Sequence, residues 1–537
     1  MFQATREGWV RRWWATGLGL LVAVAAAAGD QGPERAPRAV RPVAAARVAT
    51  ALSPFTLFGW VSPPTDSTTP ARYAELAEAG FNMTVLAWGD PGTEAANRTR
   101  LACMAPTGAR ALLLDNRLDR ALEGDPGTPA LIDSICGAYE SHPAFLGYYL
   151  GDEPRAIRFP LLGEWFRLLR QRDPAHPSWN NLSGRGAFAT HDAFMGYLRS
   201  YVALTQPAVL CTDHYDHMNS GDRGLFIESV AGTAQVAREA GIPFWGVVLL
   251  TRHLDYREVD DGLLRWQVAQ WLAHGATGIG YFTYWTPAPD PAMGWQDGMI
   301  RWHDGSRAPH YDQVRALNAR LRPMGEALAS LAWLTTEYTG DVPAYGVPFA
   351  PDAVVESVEG RAALGTFVAD DGRPWLFVAN RDSLAARTIA LAVRGDRHAE
   401  RMTEVGGWQA LSGEATPQGR RFTLSLAPGD FTLLRLSGGC DGAVAGDCRA
   451  RITVSPEPAA SRMRFALAGL SGAATFALAD VSGRQLWSRT VAGDAAVVEW
   501  DGTSDAGERV RPGAYWARVV DARGAVVRRV TWLGGAR

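Results

Sequence analysis

Short apolar runs alternate with longer amphipathic stretches from residue 55 to about residue 330. Each apolar run is a candidate β-strand, and the stretch after it has the spacing of a helix that buries one face. Strands that alternate with helices in this way are usually parallel and covered by those helices. The eight predicted strands span residues 55–62, 81–88, 110–116, 145–151, 177–182, 208–214, 243–250 and 278–284.

The number and spacing of these strands predict a closed barrel. They recur roughly every 30 residues over about 275 residues, which is the size of a (β/α)8 or TIM barrel. No G-x-G-x-x-G sequence follows the first strand, which disfavours an open sheet that binds a dinucleotide. We therefore predict a catalytic barrel domain over residues 52–335, with its chemistry at the C-terminal ends of the strands.

After the barrel, the pattern changes to alternating apolar and polar positions with turns at residues 370–372 and 428–429, which is typical of antiparallel sheets. We predict a β-sandwich over residues 336–437 and a Gly-rich linker over 438–451. A second sandwich is predicted over 452–537. The predicted fold is thus multidomain, a TIM barrel followed by two antiparallel β-sandwich domains.

The N-terminus has the pattern of an export signal. Arg6, Arg11 and Arg12 precede an apolar run over residues 13–28 that closes in small residues, which predicts a cleaved signal peptide over residues 1–28. An anchor helix is the alternative, but about 16 apolar residues fall short of the ~20 that span a bilayer. Residues 29–51 then form a linker. We predict a secreted, periplasmic or cell-surface protein without an integral membrane segment in its mature form.

Composition excludes several kinds of chemistry. All 53 basic residues are Arg, so mechanisms that need a lysine amine, such as a Schiff base or a Walker P-loop, are ruled out. A net charge of -3 argues against nucleic acid as a partner. No C-x-x-C or H-E-x-x-H motif is present, and we predict neither a metal nor a cofactor.

The five cysteines suit an exported protein in which four of them pair. Cys440 and Cys448 lie in the Gly-rich linker, and Cys103 and Cys136 fall on consecutive predicted helices. Either pair could form a disulfide. Cys211 lies inside an apolar strand, where we expect a small buried side chain.

Carboxylates and aromatic rings are frequent at the predicted strand ends. Carboxylates perform acid/base or nucleophilic chemistry, and flat aromatic faces match the C–H faces of sugar rings. We therefore predict a carbohydrate substrate, although any single Trp would also suit the barrel core. The predicted substrate-binding residues are Trp60, Trp88, Asp115, Asp152, Asn180, Tyr215, His253 and Trp285.

The segment 145–154, Phe-Leu-Gly-Tyr-Tyr-Leu-Gly-Asp-Glu-Pro, is an apolar strand that ends in two acids. It resembles the fourth strand of clan A glycoside hydrolases, in which an Asn-Glu-Pro sequence presents the acid/base glutamate. Asp152 stands in the Asn position here. The resemblance implies that Glu153 is the general acid/base, and crowding by a second carboxylate would raise its pKa as proton donation requires. The alternative is that Asp152 or Glu153 caps the following helix.

Segment 275–285 resembles the eighth strand of β-galactosidase-like barrels, which implies that Trp285 forms the floor under the sugar. Retaining clan A enzymes place their nucleophile glutamate at the end of strand seven. The chain departs from that pattern, because segment 243–253 carries no carboxylate. Asp213 is our candidate for the second catalytic carboxylate.

Asp213 would act as a nucleophile at about 5 Å from Glu153, or as a base activating water at roughly 6.5 to 9.5 Å. Asp216 in the same segment is the alternative candidate for this role, and Asp115 and Asp255 are weaker ones. A structural role for Asp213 stays open.

The last segment resembles the Ig-like domain of the flagellar hook-capping protein, on residues 480–484, 498–502 and 512–515. The resemblance implies a packing role for Trp500 and a contact with the cell surface or the secretion machinery. The predicted function is that of an exported glycoside hydrolase that cleaves O-glycosidic bonds of a poly- or oligosaccharide. A noncatalytic carbohydrate-binding barrel and a surface or adhesion protein are the competing hypotheses.

Overall fold

The computed structural model describes residues 52–86, 92–118, 129–438, 450–459, 461–470, 472–480, 484–492, 495–521 and 524–534. The predicted signal peptide at 1–28, the linker at 29–51, Trp88, Cys440 and Cys448 lie outside the described residues. The predictions on them stay predictions.

The N-terminal half contains eight parallel strands at the predicted positions, most of them shorter than the apolar runs. These strands, β1 to β8, are Thr56–Gly59, Met83–Leu86, Arg110–Leu113, Phe145–Asp152, Ser178–Asn181, Leu210–Asp213, Phe244–Leu249 and Gly278–Phe282.

A helix follows each strand. The helices α1 to α8 are Pro70–Glu78, Glu94–Met104, Pro129–Tyr139, Phe159–Arg172, His191–Thr205, Phe226–Ala240, Asp261–Ala273 and Pro309–Ala329. The first helix shows why they start where they do. The Thr69 side chain accepts a hydrogen bond from the backbone N–H of Arg72, and Pro70 occupies the first position, where no N–H is needed.

The strands close into a barrel. They pair in the order β5-β4-β3-β2-β1-β8-β7-β6. A parallel bridge between Leu182 and Thr212 joins the two edge strands, with hydrogen bonds from Leu182 N to Cys211 O at 3.0 Å and from Asp213 N to Leu182 O at 3.3 Å. The predicted TIM barrel is confirmed.

Aromatic rings fill the barrel. Phe58, Trp60, Tyr149, Trp179 and Trp245 pack with ring centroids 5.3 to 6.4 Å apart. The barrel is therefore a packed core.

The second region is an antiparallel sandwich of a seven-stranded and a four-stranded sheet, with orders β10-β9-β12-β13-β19-β15-β16 and β11-β14-β18-β17. Its strands β9 to β19 are Ala332–Tyr338, Val347–Pro348, Val355–Glu359, Ala362–Val368, Pro374–Asn380, Arg387–Arg394, Arg397–Met402, Trp408–Ala410, Gly413–Thr416, Gly419–Leu426 and Phe431–Gly438.

The outer face of the seven-stranded sheet is buried against the barrel. Phe367, Phe377 and Phe431 belong to the same hydrophobic cluster as the barrel core. Polar contacts border this interface: Arg320 pairs with Asp430 at 2.5 Å. The barrel and this sandwich consequently share one core.

We expect a fragment of residues 52–331 to be insoluble or partly unfolded, because removing the sandwich exposes this apolar face. A fragment of residues 52–438, which keeps the sandwich, should unfold in one cooperative transition. Circular dichroism melting and gel filtration compare the two fragments. A monomeric 52–331 fragment with a native melting transition would contradict the shared core.

The third region forms a smaller sandwich with sheet orders β20-β21-β24 and β23-β22-β25-β26. Its strands β20 to β26 are Arg451–Ser455, Met463–Ala468, Ala474–Ala479, Gln485–Val491, Ala495–Trp500, Gly513–Asp521 and Gly524–Trp532. Trp500 and Trp532 pack in its core with centroids 4.9 Å apart. Both predicted sandwiches are confirmed, while the likeness to the hook-capping protein stays a prediction.

Cys103 and Cys136 are free thiols, so the disulfide considered between them does not form. Cys211 is free and buried in β6, as expected of a small apolar side chain. Across the described ranges, no helix is long and apolar enough to span a membrane.

Candidate active site

Strand β4 ends in a bulge that carries the two acids. Tyr149 lies opposite Trp179 and Asp152 opposite Asn181, so β4 has one more residue than β5 over this stretch. Bulges re-aim side chains at the ends of strands. Gly151 has φ 109° and Glu153 has φ 39°, a left-handed conformation that is unfavourable for a glutamate. Such strained positions cluster at functional sites.

Two asparagines at the end of β5 hold this bulge. Asn180 Nδ2 donates to the carbonyl oxygen of Gly151 at 2.8 Å, and Asn181 Nδ2 donates to Asp152 Oδ1 at 3.1 Å. The backbone N–H of Glu153 donates to the Asn181 carbonyl oxygen at 2.9 Å. Asn180 is buried, so the structure gives it a backbone-positioning contact.

Three carboxyl groups meet at the ends of β4 and β6. The carboxyl of Glu153 is within hydrogen-bonding reach of Asp213 and of the Ser183 hydroxyl. Asp213 also hydrogen-bonds Asn181, which bridges it to Asp152. In the described part of the chain, no Arg ion-pairs with any of the three.

Burial raises the pKa values of all three carboxyl groups. Burial, followed by the charge of Glu153, raises the pKa of Asp152 to about 8, against the Asn181 hydrogen bond. Burial and the charges of Glu153 and Asp152 raise the pKa of Asp213 well above its usual range. Packing of protein around its carboxyl raises the pKa of Glu153, although hydrogen bonds with Asp213 and Ser183 oppose the shift.

Glu153 is nevertheless solvent-exposed, whereas Asp152 and Asp213 are partly buried. An exposed side chain with a raised pKa is typical of a group that lines a concave surface, open to water on one side and surrounded by protein on the others. Glu153 is therefore the most accessible of the three acidic side chains.

Neither acid caps a helix, so the capping hypothesis is wrong. The 3-10 helix Ala156–Arg158 and helix α4 both start without a side-chain cap. Their preceding residues are Arg155 and Arg158, which puts Glu153 too early in the chain to accept their first N–H groups.

Asp115 is far more constrained than a substrate ligand would be. It is 1% exposed, and Arg117 donates to it from its backbone N–H, Nε and Nη2 at 2.7 to 2.9 Å. Tyr139 adds a hydroxyl hydrogen bond at 2.6 Å. These contacts occupy both carboxylate oxygens, so Asp115 holds β3 to α3.

Asp216 and Asp255, also considered for the second catalytic carboxylate, have structural contacts of their own. Asp216 is buried and accepts hydrogen bonds from the backbone N–H groups of Gly224 and Leu225. Asp255 is exposed and accepts from Ser220. Among these aspartates, Asp213 is the one brought to Glu153.

Trp60 and Trp285 are each 1% exposed. Trp60 packs against Trp179 and Tyr149 in the barrel interior, and the Arg72 guanidinium lies 5.3 Å from the centroid of the Trp285 ring. Their faces are covered by protein, which differs from the open sugar-stacking surface expected from the sequence.

Partly buried aromatic side chains lie instead beside Asp213. Tyr215, Tyr256 and Trp295 surround His253 and Phe282, with ring centroids 4.5 to 6.4 Å from the His253 ring. Burial lowers the pKa of His253 to about 4, so its ring is neutral near pH 7. Its Nδ1 donates to the Thr251 carbonyl oxygen at 2.9 Å.

The residues of this region that the predicted substrate-binding set omits are Asn181, Ser183, Tyr256 and Trp295. Asn181 was visible as the last residue of a strand, next to Asn180. The other three lie in loops, where no periodicity predicts which side chain faces the site. Among the residues described, no group of three or more His, Cys, Asp or Glu side chains is arranged to hold a metal.

The fold and the site define a (β/α)8 barrel with a three-carboxyl cluster at its C-terminal face. No protein-family model and no curated protein matches the chain. Its fold is similar to that of solved glycoside hydrolases. The β-galactosidase of the psychrophilic Marinomonas ef1 is 12% identical with a TM-score of 0.39, and the match covers 52% of this chain and 62% of that one, less than two thirds of its length.

An Anoxybacillus α-amylase is 9% identical with a TM-score of 0.43, over 73% of this chain and 99% of that one. A family 30 xylanase from Clostridium acetobutylicum is 8% identical with a TM-score of 0.37, and the match covers 71% of this chain and 96% of that one. These matches describe a likeness of fold, and the activity is inferred from the site.

Proposed function

We propose that this chain is a glycoside hydrolase that cleaves O-glycosidic bonds, with Glu153 as the general acid/base. One observation carries the proposal: an exposed glutamic acid with a raised pKa is in contact with a second carboxyl group at the C-terminal face of a barrel. Glycoside hydrolysis requires a pair of carboxyl groups in which one is protonated near neutral pH.

In this mechanism Glu153 donates its proton to the oxygen of the leaving group as the glycosidic bond breaks. The strained backbone at Glu153 and the hydrogen bond from Ser183 hold the carboxyl in place. After departure of the leaving group, the Glu153 carboxylate removes a proton from the incoming water.

Asp213 supplies the second carboxylate and takes the place of the acid that β7 lacks. Hydrogen-bonding reach between Glu153 and Asp213 leaves no room for a water molecule, which an inverting enzyme needs at its separation of roughly 6.5 to 9.5 Å. We therefore infer that Asp213 is the nucleophile of a retaining mechanism and acts in its ionised form while Glu153 holds the proton, and that the pair separates slightly to admit the anomeric carbon.

The sugar is bound against the partly buried rings of Tyr215, Tyr256 and Trp295. Their faces contribute apolar contacts with C–H groups, while polar atoms beside them contact hydroxyls. The buried hydroxyls of Tyr149 and Tyr215 have no hydrogen-bond partner in the described part of the protein. Asp152 is held by Asn181 and contacts a sugar hydroxyl in the same site.

A noncatalytic carbohydrate-binding barrel is the second candidate. It is favoured by strand β7, which runs from Phe244 to Leu249 and continues into Leu250 and Thr251 without an acid. Such a protein would use the same aromatic surface and would not need a proton donor.

A panel of aryl glycosides and polysaccharides tests the proposal. We expect turnover of at least one glycoside with retention of configuration at the anomeric carbon, measured by NMR of the first product. Binding without turnover across the panel would favour the noncatalytic barrel. Neither binding nor turnover would favour a surface protein whose β-sandwiches carry the function.

A further inference from the structure

Arg223 lies in the loop after β6 and has no carboxylate partner within the described residues. Its guanidinium carbon is 5.7 Å from the centroid of the Tyr256 ring. Its Nη2 is 3.5 Å from Met218 Sδ. The side chain is exposed. By contrast, Arg117 and Arg185 of the same barrel each pair with a buried acid.

Tyr256 joins Arg223 to the aromatic group beside Asp213. Tyr256 packs edge-on against Tyr215, with centroids 5.7 Å apart. Burial raises the pKa of Tyr256, the neighbouring Arg223 lowers it, and the charges of Asp213 and Glu153 raise it further. Tyr256 therefore contacts both Arg223 and Tyr215.

The loop that carries Arg223 is held by hydrogen bonds. Asp216 accepts from Gly224 N at 2.9 Å and from Leu225 N at 3.1 Å, and its carbonyl oxygen accepts from the Arg223 N–H at 3.2 Å. His214 Nε2 contacts Asp216 Oδ1 at 3.2 Å. The backbone of residues 223–225 is thus anchored on Asp216, and the Arg223 guanidinium lies over the Tyr256 ring.

We propose that Arg223 is a specificity-determining residue that binds the anionic substituent of an acidic saccharide, a carboxylate or a sulfate, beside the catalytic pair. The inference rests on the proposed function and names its substrate class. A planar guanidinium binds such groups through two parallel hydrogen bonds. Any ionised member of the carboxyl cluster repels an anionic ligand, and an Arg without a carboxylate partner on the neighbouring aromatic group offsets that repulsion.

Isothermal titration with matched oligosaccharides tests this assignment. The probes are alginate and polygalacturonate fragments and the carboxyl-reduced, neutral form of each. We expect the native protein to bind at least one acidic form about tenfold or more tightly than its neutral counterpart at low salt, with the difference shrinking as salt is added. Arg223→Gln should remove this preference, and Arg223→Lys should restore part of it because it keeps the charge without the planar fork.

Arg484→Gln is the control, since it removes the same charge from an exposed position in the C-terminal sandwich. It should leave the preference intact. Carrageenan fragments and neutral agarose fragments form a second pair, and a preference in that pair alone assigns the anion to sulfate. Equal binding of acidic and neutral forms by the native protein, or a preference that survives Arg223→Gln, would overturn the inference.

Failure of this inference is distinguishable from failure of the proposed function. Glu153→Gln should keep the binding preference, because binding needs no proton donor. A preference for acidic saccharides without turnover would contradict the hydrolase and leave Arg223 as a binding residue. Turnover of neutral glycosides without a binding preference for acidic saccharides would contradict only the role of Arg223.

Discussion

Glu153→Gln should lower turnover by roughly 10²- to 10⁴-fold, the usual contribution of general acid/base catalysis. The amide keeps the shape of the side chain and part of its hydrogen bonding with Ser183 and Asp213, but it has no proton of suitable acidity to give. Ligand binding should persist. The measurement is kcat on a glycoside with a poor leaving group, together with titration of the same ligand.

For a substrate with an activated leaving group, Glu153→Gln should lower turnover less, because such a group leaves with little protonation. This holds where departure of that group limits the rate. Asp115→Asn is the matched control. It alters a buried carboxylate held by Arg117 and Tyr139, so it should lower the melting temperature and leave kcat of the folded protein nearly unchanged. Near-native turnover of every substrate by Glu153→Gln would sink the assignment of Glu153.

Asp213→Asn should lower turnover by about 10³-fold or more, as expected when a nucleophile is removed. In the native enzyme, a 2-fluoro glycoside with a good leaving group should accumulate as a covalent ester on Asp213, detected by mass spectrometry of the peptide that contains it. Inversion at the anomeric carbon, or a label on another residue, would contradict the nucleophile assignment.

The same substitution should make the protein more stable at alkaline pH. Asp213 has a pKa raised well above its ordinary value in the folded state, so the folded protein holds a proton that the unfolded chain has released. The free energy of unfolding therefore falls as the pH rises from the unfolded pKa, near 4, toward the folded one.

The amide introduced by Asp213→Asn has no proton to release in this range and carries no such penalty. We expect the melting temperature of the variant to exceed that of the native protein at pH 8 and the difference to narrow toward pH 4. A variant that is less stable than the native protein at pH 8 would show that the Asp213 carboxylate stabilises the fold instead.

Local patterns were sufficient for the fold class and for one catalytic candidate. Apolar runs of strand length that recur between amphipathic helices specify parallel strands, because both faces of such a strand are buried. Eight repeats of this unit specify closure into a barrel. Glu153 was visible for the same reason, since it directly follows the long apolar strand β4.

The surroundings of Glu153 depended on residues distant in sequence. The sequence favoured Asp213 but did not exclude Asp216, Asp115 or Asp255, because each follows a strand or lies in a loop near the C-terminal face. The choice comes from closure of the barrel, which places the end of β6 next to β5 through the Leu182–Thr212 bridge.

By itself, the sequence determined the eight-stranded barrel, the two sandwiches and the acidic end of β4, since all of these follow from periodicity along one segment. Tertiary structure decided the rest: that Trp60 and Trp285 are covered, that Tyr256 and Trp295 line the site, and that Asn181 joins two carboxyl groups. These outcomes depend on which side chains meet across strands and loops, and no local pattern encodes such packing.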